Sequence, residues 1–153
     1  MTTRPMRPGD VEGKDYFFVK EDQFRRALAA GELLEYEEVH GYLYGTPQST
    51  LQSWIEAGNI VLLDLDVFGA ESLKRIFGTR CLTIFLQPPS LQTLIERLQK
   101  RKTESPDQIA KRLQRIPAEM AQADRFDHVV INEDLDRTVA EIESLIQQAV
   151  LKN

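Results

Sequence analysis

The sequence predicts an α/β fold with a parallel core sheet, and three short apolar runs are what predict it. IVLLDL (60–65), CLTIFL (81–86) and HVVI (128–131) are apolar on both faces and are separated by helical stretches. A strand with two apolar faces must be covered on both, and strands joined through helices pair in parallel. A second signal lies upstream in ELLEYEEVHGYLYGT (32–46), where apolar and polar residues alternate on either side of Gly41. That pattern reads as a strand, a turn and a second short strand, so a small mixed region precedes the core.

Bulk properties narrow the class. A chain of 153 residues is long enough to bury one real core, and 42% apolar with 28% charged residues is ordinary globular composition. The net charge of −5 argues against binding nucleic acid through a basic surface. No apolar run nears the ~18 residues of a membrane helix, and no signal-peptide pattern leads the chain. Cys81 stands alone, so an internal disulfide is excluded and a reducing, cytoplasmic setting fits best. Two distant histidines and that cysteine make no zinc set.

Taken in order, residues 2–16 carry glycines and prolines and little periodicity, and are expected to form a loop. A short strand follows at 16–19. Residues 21–30 form a helix with Phe24 and Leu28 inward, stopped by Gly31. After the hairpin, a helix over residues 47–57 turns Trp54 and Ile55 to an apolar side and ends at Gly58-Asn59. Further helices are expected over 67–77, over 90–102 with Ser90 as N-cap, over about 106–123, and over 135–151. Ser105-Pro106-Asp107-Gln108 has the makings of a capping box, and Pro117 should kink or split its helix.

Several residue sets could carry chemistry. Arg4 and Arg7, three apart in a loop, can converge on one phosphate through bidentate bonds, or can simply be solvated. GDVEGK (9–14) invites comparison with the phosphate loop GxxxxGK[ST], but it is one residue short and carries Asp10 and Glu12; it is read as a decoy. The hairpin packs Glu35, Glu37, Glu38, His40, Tyr42, Tyr44 and Thr46 together, either a solvated edge or the wall of a pocket for a small polar ring. Asp64 and Asp66 end an apolar run, where open α/β sheets place ligands; the plainer alternative is a turn or helix cap. Basic residues gather in Arg97, Lys100, Arg101, Lys102, Lys111, Arg112 and Arg115, a solvated face or an arm that closes over phosphates.

In combination, TTRPMRPGDVEGKDYFFV, GELLEYEEVHGYLYGTP, GNIVLLDLDVFGA, FLQPPS, RLQKRKTES and VVINEDLD resemble guanylate kinases, in family order and spacing across essentially the whole chain. The resemblance implies a nucleoside monophosphate kinase-like three-layer α/β fold with a parallel core sheet and a small mixed α/β GMP-binding insert. It implies one domain over 1–153, with the GMP-binding region at about 4–58, core at 59–100 and 125–153, and a lid at about 101–124. Its implied activity is transfer of a phosphoryl group from ATP, carried with Mg²⁺, to GMP. Arg4, Arg7, Tyr16 and Tyr44 match positions that hold the GMP phosphate; Glu35, Thr46 and Asp66 match positions on the guanine side. Asp64 falls on the Mg²⁺ side, Asn132 near the adenine of ATP, and Arg97, Arg101 and Arg112 match arginines that reach ATP and the moving phosphoryl group.

The departures from the family pattern carry expectations of their own. The family's leading strand, its glycine-rich phosphate loop and the loop's lysine and hydroxyl have no counterpart in these residues. Phosphoryl transfer depends on positioning and charge stabilisation, much of it from that loop, so the chain alone should be inactive or strongly impaired. The absent strand would be central in the sheet, which suggests an N-terminally shortened reading frame or a strand supplied by a partner chain. Phe68 stands where Gln is usual, and Lys102 replaces a hinge Gly. The alternatives are a non-catalytic guanylate-kinase-like module that binds peptides or GMP, and a GMP-binding fragment that works with a partner.

Overall fold

The computed structural model describes residues 1–39, 41–100 and 106–151. His40, Arg101, Lys102 and Ser105 of the residues discussed above therefore lie outside the described residues. The chain divides into two compact units, Met1–Ile76 and Phe77–Asn153.

The first unit is built on the hairpin. Strands β1 (Leu33–Val39) and β2 (Tyr42–Pro47) pair antiparallel with Glu35 opposite Thr46 and Glu37 opposite Tyr44, and Gly41 takes the positive φ of +82° that the turn needs. Helix α1 (Glu21–Ala29) packs Phe24 and Ala27 inward and ends in a Schellman motif. There Gly31, at φ +70°, donates to Leu28 O, and Glu32 N donates to Ala27 O. Phe24 is fully buried, a contribution of roughly 2–3 kcal/mol by transfer of its ring from water. Gly45 of β2 leaves room for that ring, since a Cβ there would stand 3.0 Å from Phe24 Cζ and 2.9 Å from Leu33 Cδ1.

Residues expected as loop and strand arrange themselves differently. Thr2 makes isolated bridges to Phe18 and to Tyr44, so the chain start lies between 16–19 and β2; residues 16–19 form bridges there, not a named strand. Helix α2 (Gln48–Glu56) buries Leu51 and leaves Trp54 substantially exposed, so its inward side is not the Trp54 side. Helix α3 (Val67–Phe77) buries Val67, Gly69 and Leu73.

The run 60–65 is the principal correction. It forms no strand among the described residues, and Ile60 and Leu62 are 66% and 78% exposed. A strand is stabilised by a neighbour's hydrogen bonds and side chains; β propensity alone does not make one.

In the second unit, β3 (Ile84–Gln87) and β4 (His128–Ile131) pair in parallel as expected, with Phe85 opposite Val129. Helices α4 (Leu91–Lys100), α5 (Pro106–Met120) and α6 (Leu135–Val150) accompany them. Ser90 Oγ accepts from Thr93 N and caps α4; Asp134 Oδ1 accepts from Arg137 N and caps α6. Helix α5 runs through Pro117 without splitting. The core gathers Phe85, Leu98, Ile116, Ala123 and Val130, with Phe85 and Phe126 edge to face at 5.2 Å.

Candidate functional site

Every residue assigned to the GMP side falls in the first unit, in two clusters. The first is acidic. β1 and β2 face Glu35 and Thr46 across the ladder, both buried, and Thr46 Oγ1 donates to Glu35 Oε1 at 2.5 Å. Burial pushes the Glu35 carboxyl above its ordinary value; the Thr46 bond opposes that, and the nearby charge of Asp66 adds to it. Asp66 Oδ1 accepts from Gly69 N at 2.8 Å, so Asp66 caps α3 as well as facing Glu35. Between the two carboxylates lies Gly69, where a Cβ would be 3.0 Å from Glu35 Oε2 and 3.3 Å from Asp66 Oδ1.

The second cluster is basic and aromatic. Arg4 is buried, and its Nη1 donates to Asp10 Oδ2 and to Pro5 O, each at 2.9 Å. Its guanidinium lies 5.6 Å from the Tyr16 ring centre and 5.4 Å from that of Phe18. Tyr16 and Tyr44 meet edge to face at 5.8 Å. Burial raises the Tyr16 phenol, followed by the charge of Asp64 and by Tyr44. Arg7 is exposed and donates its backbone N–H to Asp10 Oδ2 at 2.7 Å.

Sequence reasoning thus identified Arg4, Tyr16, Tyr44, Glu35, Thr46 and Asp66 as candidates, and the structure brings them into these two clusters. It missed Asp10, concealed inside a rejected phosphate-loop likeness, and Gly69, present in DVFGA but silent because a glycine carries no functional group. Glu37, one of the hairpin's polar residues, is half-buried and opposite Tyr44.

Of the residues assigned to the ATP side, Arg97, Arg112 and Asn132 fall in the second unit, while Asp64 lies in the first. Arg97 on α4 donates through Nη1 to Asn132 O at 2.8 Å and through Nη2 to Glu133 O at 3.3 Å. Arg112 is half-buried on α5, and Arg101 lies outside the described residues. Asp64 is an exposed carboxylate, and no group of three potential metal ligands occurs among the described residues. Among the described residues the carboxylates make no metal cage, and Mg²⁺ would fit there as an ion carried on nucleotide phosphates.

The mixed α/β fold is that of the nucleoside monophosphate kinase-like proteins. A family model described as guanylate kinase matches residues 1–149. The chain is 41% identical to a guanylate kinase of Wolbachia sp. subsp. Brugia malayi over 99% of this chain and 78% of that protein. It is 47% identical to one of Salinibacter ruber over 96% and 78%. The structure matches the crystal structure of guanylate kinase from Anaplasma phagocytophilum with a TM-score of 0.79, at 33% identity, covering 96% of this chain and 71% of that one. The chain belongs to the guanylate kinase family. No helix among the described residues is long and apolar enough to cross a membrane.

Proposed function

We propose that this chain binds GMP as the phosphoryl acceptor of a guanylate kinase reaction, with ATP carrying Mg²⁺ as the donor. The carrying observation is the buried Glu35 carboxylate, held by Thr46 in the same unit as the Arg4–Tyr16–Tyr44 cluster. Guanine presents adjacent N–H donors that suit a carboxylate, and its 5′-phosphate suits arginine and tyrosine donors.

In this reading ionised Glu35 accepts from the ring N–H and the amino group, while Thr46 fixes the rotamer in which it does so. Asp66 adds a second acceptor beside it. Arg4, Arg7, Tyr16 and Tyr44 hold the phosphate and neutralise its charge, which orients the oxygen that receives the phosphoryl group. The resemblance assigns Arg97, Arg101, Arg112 and Asn132 to ATP, and Asp64 to the side of its Mg²⁺. The 153 residues contain no GxxxxGK[ST] loop, so turnover by this chain alone is expected to be slight.

Calorimetry with GMP, and with AMP as control, tests the reading. Saturable GMP binding that AMP does not reproduce supports it. A folded sample silent to millimolar GMP sinks it. Coupled release of ADP at the rate of intact relatives would overturn the expectation of slight turnover.

A further inference from the structure

We propose that Asp10 is a positioning residue for the phosphate end of the site, tying the Arg4 side chain to the Arg7 backbone so that both arginines meet one phosphate monoester. The inference rests on the GMP reading and adds to it a residue that touches no ligand.

One oxygen makes the tie. Asp10 Oδ2 accepts from Arg4 Nη1 at 2.9 Å and from Arg7 N at 2.7 Å. The turn beneath also has a backbone bond of its own. Arg7-Pro8-Gly9-Asp10 closes with Asp10 N donating to Arg7 O at 3.0 Å, with proline second and Gly9 third at φ +97°, the residues a type II turn favours. The side chain therefore reaches beyond the turn to Arg4, six residues from its partner in sequence.

The geometry on Arg4 is selective. A guanidinium has five N–H donors in a planar fork. Nη1 donates to Asp10 and Pro5 O, and Tyr44 bonds the same guanidinium, which fixes the plane of its parallel N–H groups. Parallel N–H groups of that kind suit phosphate oxygens. Arg4 is also buried, and a buried cation without a counter-charge is costly, so a carboxylate at this distance keeps the guanidinium in place before any anion arrives. Asp10 itself is held ionised by the Arg7 N–H and then by Arg4.

The test compares Asp10→Ala and Asp10→Asn with the unaltered chain, titrating each with GMP and with guanosine, which lacks the phosphate. Asp10→Ala should weaken GMP roughly tenfold, the size of one charge-assisted hydrogen bond, and leave guanosine unchanged. Asp10→Asn keeps an acceptor for the Arg7 N–H but no charge for Arg4, and should fall between; it also serves if the alanine variant does not fold. Equal losses for GMP and guanosine would make Asp10 a fold-stabilising residue and overturn the proposal. Tighter GMP binding would overturn it too, by making Asp10 a competitor for the arginines. If the unaltered chain binds guanosine-type ligands but the variants match it for GMP, only this inference fails; if it binds neither ligand, the GMP reading fails and takes the inference with it.

Discussion

Thr46 Oγ1 donates to Glu35 Oε1 at 2.5 Å across the β1–β2 ladder, where both residues are more than nine-tenths buried. A carboxylate so placed is poorly solvated, and burial raises its proton affinity. In the unliganded protein the ionised carboxylate is therefore a cost to the fold. Glu35→Gln keeps an acceptor for Thr46 and removes the charge. It should cost GMP binding ~1.5–3 kcal/mol, a loss of about ten- to a hundredfold in affinity by calorimetry, because a charged acceptor is replaced by a neutral amide. The same variant should melt no lower than the unaltered chain near neutral pH. A lower melting temperature with GMP binding intact would make Glu35 structural.

The pH dependence follows from the same carboxyl. Its folded-state value is raised above the ordinary 4.5, so its stability contribution is whole below that value and is lost as pH climbs through the raised one. On the proposed GMP reading, binding runs the other way, since the ionised form would accept the guanine donors. The melting-temperature advantage of Glu35→Gln should thus grow as pH rises above about 4.5, while GMP affinity of the unaltered chain rises in the same direction. With guanosine, which lacks the titrating phosphate, calorimetry in buffers of differing ionisation enthalpy should show proton release on binding, absent in Glu35→Gln. An advantage that is flat with pH would contradict the raised value.

Gly69 offers a steric route to the same carboxylates. Its backbone does not need positive φ, so alanine is conformationally acceptable, but the new Cβ would meet Glu35 Oε2 at 3.0 Å and Asp66 Oδ1 at 3.3 Å. Ordinary carbon contacts lie near 3.5–4.0 Å, so the flexible carboxylates must give way. Gly69→Ala should weaken GMP and guanosine alike, roughly tenfold if about one charge-assisted bond is lost. Stability should change little, because alanine's higher helix propensity in α3 offsets up to ~1 kcal/mol of crowding. Equal loss for both ligands is the signature of the base end, in contrast to the phosphate-selective loss expected at Asp10.

What the sequence made legible was local. The hairpin could be read because period-two alternation and Gly41 are properties of consecutive residues, and its ladder duly sets Glu35 against Thr46. The Ser90 cap and the Gly31 stop could be read for the same reason. The parallel pairing of 84–87 with 128–131 was inferred from apolar runs and holds, yet 60–65, equally apolar, forms no strand. Pairing depends on what lies alongside, which a run of residues does not encode. Asp10 was obscured because its partners are a side chain six residues back and a backbone N–H, neither implied by composition. Trp54 was misplaced because α2 is short and one helical face is decided by its neighbours; Leu51 faces inward instead.

Arg97 shows how a basic residue in a charge run can have a defined task. Its guanidinium spans two successive carbonyls, Asn132 O and Glu133 O, just past the end of β4, while Asn132 N donates to Gln87 O at 2.8 Å. The planar fork makes this possible; a lysine ammonium is a point donor on a flexible stem and cannot hold both carbonyls in the same fixed way. Arg97→Lys should therefore loosen the start of the 132–134 turn without unfolding the unit. Hydrogen exchange at the Asn132 amide should quicken by roughly tenfold, the equivalent of about one charged hydrogen bond, while Val130, fully enclosed in β4, keeps its protection. Unchanged exchange at Asn132 would show that the two contacts do not hold the turn. Faster exchange throughout β4 would show that Arg97 supports the whole unit.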